Sequence, residues 1–80
     1  MINRSLEIFV ANASYSLATE ILDKYGGRGF YTNNEKDVKE IRKINTLANL
    51  LEELGDERCY KLRIKVDKLI KFPPKLKIVK

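Results

Sequence analysis

Lys61, Arg63 and Lys65 alternate with Leu62, Ile64 and Val66, and Lys75, Lys77 and Lys80 follow at steps of two and three. On a strand, where successive side chains point to opposite faces, the first three cations form a row about 7 Å apart. Such a row neutralises successive phosphates and releases their counterions, which gives sequence-independent, salt-sensitive binding of nucleic acid. Tyr60 and Phe72 flank the first row, and an aromatic ring at a sheet edge can stack on a base. The same lysines have a plainer use, because cations on the wet side of an edge strand block edge-to-edge aggregation.

Other residues offer less. Gly26-Gly27-Arg28-Gly29 places backbone N–H groups and an arginine where a phosphate could meet them. It lacks the spacing of the common phosphate-binding glycine motifs and serves equally as a helix stop. Glu52-Glu53 and Asp56-Glu57 are the only carboxylate pairs suggesting metal or acid–base work, but adjacent side chains on a helix diverge. Cys59 is the single cysteine and histidine is absent. That excludes an internal disulfide, Ser-His and Cys-His nucleophiles, and a Cys/His zinc site. No cofactor or metal is expected, nor any recognisable catalytic constellation.

The charge is segregated. The chain carries +5 overall; residues 1–57 hold seven basic and ten acidic side chains, a net of −3, whereas residues 58–80 hold nine and one, a net of +8. Segregation of this kind points to an anionic partner met by one face. Eighty residues make one domain spanning 1–80, with a core small enough that a second subunit would help it. No apolar run reaches the roughly 20 residues that cross a bilayer. The opening Met-Ile-Asn-Arg lacks a secretory core, so a cytoplasmic location is expected.

Leu6–Ala11 is a short apolar run with β-branched and aromatic residues, a buried strand closed by Asn12-Ala13-Ser14. Tyr15, Ala18, Ile21, Leu22 and Tyr25 recur at helical steps up to Gly26-Gly27. One continuous helix from Ser5 to Tyr25 competes, since Leu6, Phe9, Ala13, Leu17 and Ile21 also keep helical spacing. Residues 26–34 form a loop. Val38, Ile41, Ile44, Ala48, Leu51 and Leu54 then mark an amphipathic helix ended by Gly55. Residues 60–67 alternate as a half-buried strand, and residues 75–80 as an edge strand beyond Pro73-Pro74. A helix over residues 57–72 is the alternative, on Cys59, Leu62, Val66 and Leu69. The expected fold is α+β in the order β-α-α-β-β, with helices packed on one face of a mostly antiparallel sheet.

Two segments resemble a known family, the anti-CRISPR ring nucleases of viruses and mobile elements that degrade cyclic tetra-adenylate. Ile8-Phe9-Val10-Ala11-Asn12-Ala13-Ser14 resembles that family's opening strand, and Ile41 to Gly55 with Lys61–Val66 is similar to its central helix and following strand. The resemblance implies a homodimer holding an anionic cyclic nucleotide, with Asn12 and Lys43 as contacts. The family's Ile-Gly-His segment corresponds to Ile41-Arg42-Lys43, so Lys43 stands where the resemblance implies a catalytic His. A cationic lysine is not tuned for that general-acid role, and binding without catalysis is what remains. The expected function is therefore a small basic non-catalytic binding protein, of a viral or mobile-element accessory kind. It would engage nucleic acid or a cyclic oligonucleotide through Lys61, Arg63, Lys65, Lys75, Lys77 and Arg28. The alternative is an inhibitor or accessory subunit that binds an acidic host protein.

Overall fold

The computed structural model describes residues 4–71. Along the chain come α1 (Arg4–Tyr25), β1 (Phe30–Tyr31), α2 (Glu35–Glu53), α3 (Arg58–Leu69) and β2 (Ile70–Lys71). This overturns the expected α+β order: the described residues form three helices and one small parallel sheet, pairing Phe30 with Ile70 and Tyr31 with Lys71. The expected edge strand at residues 75–80 lies outside the described residues.

The continuous α1 replaces the strand expected at Leu6–Ala11. Asn12-Ala13-Ser14 contains neither Gly nor Pro, so nothing breaks the helix between the two apolar stretches. Its inward face is Ala11, Ser14, Ala18 and Leu22, at steps of three and four and mostly small. Small side chains let the neighbouring helices approach closely, and larger ones, Tyr15, Ile21 and Tyr25, pack at the margins. The helix stops where expected, at Gly26-Gly27. There the N–H groups of Arg28 and Gly29 both donate to the Tyr25 carbonyl, at 3.1 and 2.7 Å.

The sequence reading of α2 holds closely. Asn34 caps it, its Oδ1 accepting from the Asp37 backbone N–H at 3.1 Å, and Ile44, Ala48 and Leu51 are buried. Its end is a Schellman turn: Gly55 N–H donates to Glu52 O at 3.0 Å and Asp56 N–H to Leu51 O at 2.9 Å. Gly55 takes φ +76° there.

The strand expected at residues 60–67 is helix α3. Alternation put Tyr60, Leu62, Ile64 and Val66 on one buried face, but Tyr60 and Ile64 are 56% and 54% exposed. The buried set is Cys59, Leu62 and Val66, the helical alternative. The turn decides the matter, because the Asp56 carboxylate accepts from the Arg58 backbone N–H at 2.9 Å. It thereby satisfies a donor that a starting helix leaves free.

Arg4, Glu7, Ile8 and Ala11 of α1 stand beside Leu54–Glu57, and Leu17 and Ile21 beside Lys43, Thr46 and Leu47, so α1 and α2 are antiparallel. Residues 54–57 turn the chain back into α3. The three helices enclose Ala11, Ala18, Leu22, Ile44, Ala48, Leu51, Cys59, Leu62 and Val66, and Phe30 closes one end, stacked on Tyr25 with ring centroids 4.4 Å apart.

Two glycines separate strain from space. A Cβ on Gly55 would meet nothing within 4 Å, whereas one on Gly29, at φ +83°, would stand 2.8 Å from the Leu69 carbonyl oxygen. Gly55→Ala is expected to cost about 1–2 kcal/mol, the left-handed penalty alone. Gly29→Ala should cost clearly more, because β2 has to move away from β1. Urea unfolding of both variants checks this; equal losses would contradict it.

Candidate anion-binding face

At about 100° per residue, Lys61, Lys65 and Lys68 fall within one narrow stripe of α3, turned away from Cys59, Leu62 and Val66. All three are exposed, and none has an ion-pair partner among the described residues. Tyr60 and Ile64, one turn apart and more than half exposed, lie directly alongside. The stripe is about 10 Å long at 1.5 Å per residue.

The helix corrects the expected row. Lys61 and Lys65 stay together, but Arg63 points back to α2, where its Nη2 donates to Asn49 Oδ1 at 2.6 Å and Glu52 Oε1 at 2.8 Å. Arg63 is a clamp between α2 and α3, and it leaves the open face. Lys68 takes its place, one turn beyond Lys65. A count of i, i+4 and i+7 cations on the helical alternative would have found it. Lys75, Lys77 and Lys80, with Phe72, lie outside the described residues.

Arg28 is engaged as well. Its Nη1 and Nη2 meet the two oxygens of Asp37 at 3.1 and 3.0 Å, and the guanidinium lies 5.0 Å from the Tyr25 ring centre and 5.7 Å from that of Tyr31. The Asp37 carboxylate also accepts from the Tyr31 backbone N–H at 2.9 Å. Arg28, followed by that N–H, holds the Asp37 carboxyl below the ordinary carboxylate range. Arg28 thus anchors the glycine loop to α2, with its charge already balanced.

The two resemblance-based residues are not brought together. Asn12 Oδ1 accepts from Arg58 Nη2 at 2.9 Å, beside Tyr15, whose ring centre is 4.8 Å from the same guanidinium. Asp56 completes this cluster at 2.7 Å, and Arg58, through its side chain and then its backbone N–H, holds the Asp56 carboxyl below its usual range. Lys43 instead pairs with Glu40 at 3.2 Å and lines the groove beside Leu17 and Ile21. Asn12 and Leu17 are about 140° apart around α1, so Asn12 and Lys43 serve different faces.

Cys59 is buried and part of the core. No group of three or more Cys, Asp or Glu among the described residues is placed to hold a metal ion, and no helix among them is long and apolar enough to cross a membrane. Comparison of the chain with family models, with curated proteins and with solved structures gives no match.

Proposed function

We propose that the protein is a small non-catalytic binding module that holds a polyanion, nucleic acid foremost, on the outer face of α3. The observation that carries this reading is the stripe of Lys61, Lys65 and Lys68, exposed and without acidic partners among the described residues, beside exposed Tyr60 and Ile64. Lysines at this spacing supply point charges to successive phosphates, and a ring next to them offers a base a surface to stack on. Over the described residues 58–71 six basic side chains stand against one acidic, a net of +5, and that excess adds a field that draws anions to this side. The resemblance to ring nucleases makes cyclic tetra-adenylate the small anionic ligand to set beside polymers. The second reading is an acidic protein partner, favoured by the exposure of Tyr60 and Ile64, since an aromatic anchor rimmed by charge suits a protein interface.

Fluorescence anisotropy tests the reading with labelled duplex DNA, single-stranded DNA, RNA and cyclic tetra-adenylate. Three neutralised phosphates predict that affinity for a polymer falls about fortyfold between 50 and 200 mM salt. Absence of binding to all four probes at the lower salt would refute anion binding and leave the acidic protein, to be sought as a stoichiometric complex in nuclease-treated lysate.

A further inference from the structure

Among the described residues, nothing covers the apolar outer side of α1. From Ser5 to Thr19 the helix has a single charged side chain, Glu7. Leu6, Phe9 and Leu17 are 56%, 68% and 53% exposed. With half-buried Val10 and Ala13, they occupy an arc of about 100°, away from the inward Ala11, Ser14, Ala18 and Leu22. Leu17 continues into a groove of about 430 Å³ that it forms with Ile21, Lys43, Thr46 and Leu47.

We propose that this face is where two copies of the chain meet, α1 against α1, to form a homodimer. Charge selects the occupant. Each copy carries +5, so like copies repel over most approaches, and the nearly uncharged side of α1 is where they touch without opposing like charges. Among the described residues an acidic partner finds no row of cations on this side of α1; their row stands on α3.

The order of large and small side chains suits an antiparallel pair. With the two-fold axis level with Ala11 and Asn12, Leu6 comes level with Leu17 of the second copy, at the mouth of its groove. Val10 comes level with Ala13 of the second copy, and Phe9 falls between the small side chains Ala13 and Ser16. Opposed helix dipoles favour the same arrangement. A stable dimer takes about 800 Å² from each partner, so the contact has to extend from α1 onto the Thr46 and Leu47 side of the groove.

Sedimentation equilibrium of the full chain at tens of micromolar is expected to give twice the 9.3 kDa chain mass. Phe9→Ser with Leu17→Ser should return it to the single-chain mass with helical circular dichroism retained. Phe9→Arg, at the most exposed position, should do the same through charge repulsion with no demand on the core. Tyr60→Ser with Ile64→Ser should leave the dimer intact. A wild-type monomer, a dimer that survives Phe9→Arg, or one lost through the Tyr60 and Ile64 changes instead would overturn the proposal.

Discussion

Reversing Lys61, Lys65 and Lys68 to glutamate is expected to abolish measurable polyanion binding, and the size of the loss is expected to depend on salt. Non-specific affinity for nucleic acid scales as salt concentration to the power of about −0.9 per neutralised phosphate. Three contacts therefore contribute about three thousandfold at 50 mM and about eightyfold at 200 mM, relative to 1 M. Reversal removes that contribution and adds repulsion. The control is a variant with the same change of net charge placed elsewhere, Lys24, Lys39 and Arg42 to glutamate, all exposed positions on α1 and α2. Both variants go from +5 to −1, since each reversal lowers the charge by two. The control should weaken binding modestly and keep most of the salt slope, whereas the α3 variant should lose it. If the two lose affinity equally, a diffuse field rather than the α3 stripe does the binding. The exposed lysines contribute nothing to the core, so both variants should keep the wild-type melting temperature to within a few degrees.

The contrast between α2 and α3 shows what was legible in the amino-acid order. In α2 every signal agrees: a cap at Asn34, acidic residues in the first turn, apolar residues at steps of three and four, and Gly55 at the end. In residues 58–69 two periods are superposed, because Leu62 and Val66 belong both to the alternating set and to the helical one. Only the neighbours separate the readings, and the decisive neighbour is Asp56, whose carboxylate accepts the Arg58 backbone N–H where α3 begins. The same ambiguity affects Leu6–Ala11, an apolar run that a strand or a buried helix would equally display. The basic face was half legible: Lys61 and Lys65 belong to it under either period, while Arg63 and Lys68 exchange places when the period changes. Least legible was the pair of Arg28 and Asp37. The arginine read as a phosphate ligand, and nothing in the residue order marked the aspartate as its partner. Their meeting depends on a loop folding back on α2, which no local pattern encodes.

That pair carries the other large expectation: Asp37→Ala should lower the melting temperature by on the order of 10 °C, a large loss for a domain of this size. Asp37 is 2% exposed and does three things at once. It receives both Nη groups of Arg28, accepts the Tyr31 backbone N–H, and places a negative charge in the first turn of α2, where the helix dipole favours it. Alanine leaves the Tyr31 N–H without its partner and frees β1 from α2, loosening Phe30 at the end of the core. The Arg28 side chain is 48% exposed, so the guanidinium turns to water and the loss comes mainly from the orphaned backbone donor and the freed loop. Because the folded-state pKa of Asp37 lies below the unfolded value, its contribution is fully present above the ordinary carboxylate range. It disappears as pH falls through the depressed folded value. Asp37→Asn keeps the shape but puts an NH₂ donor where an oxygen must accept, so it should also be less stable at neutral pH. Thermal melts of wild type and Asp37→Asn between about pH 2 and 7 should therefore converge toward the acid end as wild type loses what the variant already lacks. Parallel curves, or a variant as stable as wild type at pH 7, would show that the loop is held by something other than this carboxylate.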